Sequence, residues 1–506
     1  MLTEFNKPRG SNGEYSFLTF ESIADLRNSK PWFDNHLVYV KSYYANTFVG
    51  GGRFIGRFGT ATDDSGMIIA GTGFYWSRQV DENVVTPEMF GYNASTTNAT
   101  SSINMALASG YPVSLKGGTY KVSKIIVPSN SKLLGSGLSY IEPLDTSNPV
   151  VDLGDSNSNI TLSGIIFRDP SKVITSENAL FINGTNISDI TVENCQFNSM
   201  IARPIRLQNA DNVRIIYNEF FGNRPHGSLS DERSSEIYLV DNIRNCLIEN
   251  NKFTGNKTNL WLSREAAIFV HAVTAGMYWE NVRILNNTIE SYRRFGIGVG
   301  TQATSDLDQK SSGVWIERNF IRNSGQEGIK MKAGTKAFVN NNIIDGFELI
   351  MAEVPDSLNG GIFMQINPES TCHGNRIYGR NTRLWGGAGA MITTSTMTLP
   401  PSPTGTWDTA IISASEGSSV NQYVGKYVTI ESGTGAGQWR RINSFNLSTK
   451  VATLNSAWTT PPDQSSIFAI YSNPSIGIKY RGNNSGNVTY TDSRTARVFQ
   501  SQDNYV

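Results

Sequence analysis

One eight-residue phrase recurs along this chain and limits its fold more than any other feature. Val282-Arg283-Ile284-Leu285-Asn286-Asn287-Thr288-Ile289 has apolar residues at its first, third and eighth places and Asn at its sixth. The stretches 314–321 and 337–344 repeat the pattern. Followed in both directions, the sixth place holds Ile165, Cys195, Asn218, Asn251, Asn287, Asn319, Asn342 and Asn375, at intervals of 23 to 36 residues. A repeat of this period signals a solenoid. Uneven spacing excludes helical repeats of fixed length and heptads, and suits coils with constant strands and variable turns. Asn fits such a corner because it tolerates the left-handed backbone region and its amide can bond to copies above and below.

A second short run follows each phrase: Pro204-Ile205-Arg206-Leu207, Glu236-Ile237-Tyr238-Leu239, Ala267-Ile268-Phe269-Val270, Gly296-Ile297-Gly298-Val299, Gly328-Ile329-Lys330-Met331 and Gly361-Ile362-Phe363-Met364. Period-two alternation puts one face in and one face out. The six isoleucines are expected to stack inside as an aliphatic ladder, with the residues between them facing solvent.

The flanks read differently. Residues 1–82 form a small N-terminal domain, with a helical turn or two near Phe20–Leu26 and strands at Leu37–Val40 and Met67–Ala70. Ile103, Ala106 and Leu107 lie at helical spacing, with Ser101 and Ser102 as caps and Gly110 as a stop. That helix is a natural lid for the first coil of a solenoid spanning 83–390. Residues 391–472 read as a separate β module that interrupts the coil. Residues 473–506 return to it through the strand Gly477–Tyr480 and end in a tail.

Composition narrows the partners. Lys plus Arg equals Asp plus Glu at 43 each, so the basic footprint of a nucleic-acid or anionic-membrane partner is missing. Charged residues make up only 17%, as suits a β surface rich in turn formers. Cys195, Cys246 and Cys372 are odd in number, widely spaced and set inside the repeated phrase, so buried free thiols are expected rather than disulfides or a metal site. Nothing indicates a cofactor. No run of about 18 apolar residues and no signal-peptide core is present, so a soluble chain is expected.

Three stretches besides the coils carry a family resemblance: Thr19-Phe20-Glu21-Ser22-Ile23-Ala24-Asp25-Leu26, Val85 to Tyr92, and Gly117-Gly118-Thr119-Tyr120. With them the chain resembles bacteriophage tailspike depolymerases. The resemblance implies an all-β chain built on a right-handed, single-stranded parallel β-helix, assembled as a homotrimer. It further implies a place on the virion, attachment to the phage through the N-terminus, and a bacterial surface polysaccharide (capsule or O-antigen) as substrate. Gly433 to Gln438 is similar to a carbohydrate-binding-like module found near the ends of such spikes. No long attachment region precedes residue 15, a departure from the family pattern that implies a shortened chain or docking through a short peptide.

Glycoside hydrolysis needs one carboxylic acid to protonate the leaving oxygen and one carboxylate to activate water or attack. With strands aligned on the ladder isoleucine, Glu236 and Glu265 fall at odd offsets and are expected to point outward from neighbouring rungs. A diagonal of about 8 Å separates them, within the inverting range of roughly 6.5–9.5 Å. Asp306 and Asp308 are the rival catalytic carboxylates, in the loop after the Gly296–Val299 strand. Glu327 reads as structural. Tyr238, Phe269 and Phe363 share the outer face and could stack on sugar rings, and Arg206, His271, Lys330 and Lys332 could hold acidic sugars. Endo-acting hydrolysis of a polysaccharide is therefore expected. The alternatives are a polysaccharide lyase with its base near Lys330 or His271, and a fibre that holds glycan without cutting it. Gly154-Asp155-Ser156 lacks the downstream Asp-x-x-His of an esterase, and neither glycine-rich stretch carries the Lys-Ser/Thr of a phosphate loop.

Overall fold

A computed structural model describes residues 18–95, 97–147, 149–176, 179–224, 234–274, 277–301, 312–332, 337–347, 362–365 and 371–380, with shorter stretches from 383 to 491. It divides into two compact units, residues 1–202 and 203–506.

The first unit opens with a five-stranded sheet. In spatial order its strands are Leu18–Phe20, His36–Ser42, Gly50–Phe58, Phe74–Gln79 and Ile68–Gly71. The helix is short, Ile23–Arg27, because Ser22 caps it by accepting from the Asp25 N–H at 3.2 Å and Asn28 closes it. Ile23 and Leu26 pack with Val38, Phe54 and Trp76 in one apolar cluster. Buried Arg78 donates to the carbonyls of Gly50, Gly51, Gly66 and Met89 and lies 4.5 Å over the Phe54 ring. Its burial pulls the guanidinium pKa down to about 10.

The expected lid helix spans Thr100–Ala108 and buries Ile103, Ala106 and Leu107, and Gly110 follows at φ +79°. The serines do not cap it. Its first turn begins at Thr100, whose N–H is taken by the Asn98 side chain, while Ser102 is buried in the helix. After it the chain coils. Val113, Leu133, Leu162 and Val192 form one inward ladder, and Tyr120, Ile141, Phe167 and Phe197 another. The Phe167 and Phe197 rings stack at 5.1 Å.

In the second unit the described rungs stack in three sheets, the first two of which are continuous within the long strands Arg203–Ile216 and Ser235–Glu249. The ladder Ile205–Ile237–Ile268–Ile297–Ile329–Ile362 is paired in the expected register. Ile215, Ile248, Ile284, Ile316, Val339 and Cys372 stack in a second sheet. Phe220, Phe253, Ile289, Ile321 and Ile344 stack in a third. The asparagines join these sheets at one buried corner. Each of Asn251, Asn287, Asn319, Asn342 and Asn375 accepts, through its side-chain oxygen, the backbone and side-chain N–H of the Asn one rung before, at 2.9–3.0 Å. The left-handed residue, however, is the fifth place rather than the sixth: Gly164, Asn194, Tyr217, Asn250, Asn286, Arg318, Asn341 and Gly374 all have φ between +53° and +68°. The Asn itself is free to act as a hydrogen-bond rail.

The three cysteines are buried free thiols, and burial pushes each up to about 12. A five-stranded antiparallel sheet, Thr409–Ile411, Val451–Leu454, Trp439–Asn446, Tyr427–Ser432 and Ile467–Tyr471, marks the module that interrupts the coil. Tyr480–Arg481 then pairs with Cys372–His373, and Val488–Thr491 with Ile362–Gln365.

Candidate functional site

The outer face of the isoleucine-ladder strands is where the sequence directs the search, and a local irregularity alters which residues reach it. Just before the ladder, consecutive N–H groups converge on one carbonyl: Glu265 and Ala266 on Ser234, Arg294 and Phe295 on Glu265, Gly296 and Ile297 on Gly328. This bulge-like doubling breaks the simple alternation. Gly296 sits one place before Ile297, as Glu236 does before Ile237, and a Cβ there would lie 2.7 Å from Ile321 Cγ2 and 3.4 Å from Ile289 Cγ2. Both are core residues of the third sheet. Position minus one therefore faces the interior.

Glu236 accordingly does not lie on an open face. It is 1% exposed, 3.1 Å from the Nε of fully buried Arg264, and accepts from Asn223 Nδ2 at 3.0 Å and Tyr292 Oη at 3.3 Å. Burial pushes its carboxyl up, and Arg264, Asn223 and Tyr292 offset only part of that rise. Tyr292, buried against the same carboxylate, is held well above the ordinary tyrosine value. Glu265 is equally buried, in the turn just ahead of the strand Ala266–Ala272, with Arg293 Nη1 at 3.3 Å and Arg294 Nε at 3.6 Å. The exposed groove edged by two outward carboxylates is thus replaced by two buried, arginine-paired ones. Glu327 is buried as well, 3.7 Å from Lys330.

What does gather on the outer face is a Tyr–His–cation group. Tyr238 Oη and His271 Nδ1 are 3.1 Å apart, Tyr238 stacks on Phe269 at 5.9 Å, and Phe269 stacks on His271 at 4.7 Å. Phe295 folds across Gly298 to join Phe269 at 5.5 Å, and Lys330 Nζ lies 5.3 Å from the Phe295 ring. Tyr238, Phe269 and His271 are 3–4% exposed, so their ring faces are spent on one another rather than left open, contrary to the expectation that this face meets solvent. Arg206 and Gln208 are half-buried at the solvent-reaching end of the group. Arg206 pairs in register with Tyr238 and donates to Gln208 Oε1 at 2.5 Å, and Gln208 donates to Asp241 Oδ2 at 2.9 Å. Burial lowers the Arg206 pKa.

Several of these residues escaped the sequence reading. Arg264 and Arg293 stand at the same offset before their ladder isoleucines, so aligning rungs one place further back exposes the paired cations. Asp241 follows the strand register by two places and sits at φ +64°. It accepts from the N–H groups of Val273 and Thr274, both at 2.9 Å, which ties the next rung's turn to its own. Asp306 and Asp308 lie outside the described residues, as do the side chains of Lys332 and Phe363. Among the described residues no group of three or more His, Cys, Asp or Glu is placed to hold a metal ion, and no helix is long and apolar enough to cross a membrane.

Residues 19–81 match the family model of the phage tail protein small four-stranded β-sheet domain, and residues 151–310 match that of the right-handed β-helix region. A region matching a phage-tail β domain thus precedes a right-handed parallel β-helix, the coil expected from the repeats and the hand expected from the family resemblance. Among curated proteins, the amylovoran biosynthesis protein AmsF of Erwinia amylovora is 34% identical over 93 residues, 18% of this chain and 12% of that protein. Among solved structures, the enzymatically active domain of tailspike protein 2 from bacteriophage CBA120 is 17% identical with a TM-score of 0.47, over 74% of this chain and 55% of that one. The Streptococcus pneumoniae surface adhesin PfbA is 14% identical with a TM-score of 0.46, over 59% and 86%. Tailspike protein gp49 of the Acinetobacter baumannii bacteriophage Fri1, a capsular polysaccharide depolymerase, is 12% identical with a TM-score of 0.39, over 90% and 97%.

Proposed function

We propose that this chain is a tailspike-type protein that binds and cleaves a bacterial surface polysaccharide, carried on a phage tail through its N-terminal domain and assembled as a homotrimer. The observation that carries this reading is the junction of a phage-tail domain at 19–81 with a β-helix at 151–310. A coil of stacked strands offers a long face, and a polymer needs many shallow subsites along one direction.

For the bond-breaking step, hydrolysis would draw on Asp306 and Asp308, because the carboxylates of Glu236 and Glu265 are each held by arginines. A second reading has an observation in its favour. Tyr238 and His271 are hydrogen-bonded, with Arg206 in register with Tyr238 and Lys330 near the neighbouring Phe295 ring; the pair is itself only 3–4% exposed, but these are the residue types that β-elimination of a uronate requires. A cation neutralises the sugar carboxylate, one partner of the pair removes the C5 proton as base, the C4–O bond breaks as the other protonates the departing oxygen, and a C4–C5 double bond remains in the product.

Incubation with purified capsule and O-antigen preparations, followed by polymer-length measurement, tests the activity; unchanged length across the set would leave a non-cleaving fibre. Ultraviolet absorbance of the new double bond separates elimination from hydrolysis. Under elimination, His271→Ala and Tyr238→Phe each slow cleavage by about 100-fold or more, while Asp306→Asn and Asp308→Asn leave it intact. The reverse pattern assigns the carboxylates.

A further inference from the structure

A cavity of about 180 Å³ opens in the first unit, where the ends of three consecutive rungs meet. Its walls divide by chemistry. Lys121, Glu142 and Asp169 supply polar atoms, and Pro143, Leu144 and Pro170 supply an apolar wall. Lys121 and Glu142 are paired neighbours on adjacent strands, and Asp169 directly follows the strand that ends at Arg168.

The two carboxylates are fixed in advance, whereas Lys121 is exposed at the rim. Asp169, 2% exposed, accepts from the N–H groups of Val173 and Ile174, each at 2.9 Å, so its carboxylate cannot swing away. Glu142, 8% exposed, is held through Oε1 by Arg168 Nε at 2.6 Å. Arg168 is itself pinned 3.8 Å over the Tyr140 ring. No hydrogen bond among the described residues occupies Glu142 Oε2. Prolines on both sides stiffen the apolar wall.

We infer that this cavity is a binding subsite for a single neutral pyranose. A sugar ring has a polar hydroxyl rim and an apolar C–H face, and the cavity is divided the same way: Glu142 Oε2 accepts from a hydroxyl, the Lys121 ammonium donates, and Pro143, Leu144 and Pro170 cover the C–H face. The volume equals that of about six waters, a match for one ring rather than a chain. Arg168 and Lys121 balance Glu142 and Asp169 in charge, which favours an uncharged guest over a uronate or an amine. The subsite lies in the first unit, so it stands or falls independently of the cleavage chemistry assigned to the second.

The test uses the full chain with methyl glucoside, methyl galactoside and N-acetylglucosamine as probes, read by saturation-transfer NMR and by crystal soaking. Occupancy of the cavity by one of them is the expected result. Lys121→Ala should weaken that binding about tenfold, the effect of roughly 1.4 kcal/mol. Ser171→Phe, which fills the cavity from its lining, should abolish it. Circular dichroism and an unchanged unfolding temperature establish that both variants are folded. Absence of all three sugars from the cavity, or binding that both folded variants retain, overturns the proposal. Polymer cleavage followed in the same samples reports on the other site separately.

Discussion

At the scale of single residues, the fifth place of the repeated phrase shows what each corner demands. It requires a left-handed backbone, which Asn and Gly accept and a bulky aromatic residue resists. Tyr217 occupies it at φ +57° and is 57% exposed. Tyr217→Asn is expected to stabilise the protein by about 1 kcal/mol, read as a higher denaturation midpoint at unchanged slope. Glu236 lies at the other extreme. Glu236→Gln removes the carboxylate 3.1 Å from buried Arg264 and should cost about 3–5 kcal/mol, so loss of activity in that variant must be separated from loss of fold by denaturant unfolding. The sequence showed where asparagines recur because a hydrogen-bond rail needs one residue type at one spacing. It did not show which neighbour bends, since Asn serves both roles in Asn286-Asn287 and in Asn341-Asn342.

At the scale of the strand and turn, the ladder isoleucines were legible because burial of one face enforces strict alternation through the strand. The strand's first residues were not, because two N–H groups sharing a carbonyl shift the parity without altering composition. Gly296 provides the check. Gly296→Val must place methyls against Ile321 and Ile289 and should destabilise by about 1–3 kcal/mol through overpacking; a neutral result would return this position, and Glu236 with it, to the outer face. The asparagine rail has its own signature. Asn287→Ala strips acceptors from the Asn251 backbone and side-chain N–H groups and a donor from the Ile248 carbonyl. With each orphaned group costing about 1–3 kcal/mol, the loss should exceed that of an ordinary surface change and appear in thermal unfolding. Asp241 supplies a pH-dependent case. Burial opposes its ionisation, but the N–H groups of Thr274 and Val273 and the side chains of Gln208 and Thr274 outweigh it, and its pKa falls below 3.8. A depressed carboxylate stabilises the fold above its unfolded pKa, and that contribution fades as pH falls through the folded value. The stability gap between wild type and Asp241→Asn should therefore be full near neutrality and close below pH 3.8.

At the scale of the whole molecule, the class of fold followed from the repeat, and the small N-terminal sheet from its alternating runs and turn residues. The outer face was harder to read, because its exposure depends on how side chains of successive rungs stack on one another rather than on strand alternation alone. If the trimer proposal holds, light scattering gives a mass three times 55.6 kDa; a single-chain mass ends it. The interruption of the coil has a consequence in time. The strands that add to Ile362–Gln365 and Cys372–His373 lie at 480–491, beyond a separate module. At about 5–20 residues per second, a ribosome needs some five to twenty seconds to deliver them. Throughout that delay the unfinished rung presents unpaired backbone to any neighbouring chain, so each molecule is stickiest late in its own synthesis, beside sister chains emerging from the same message.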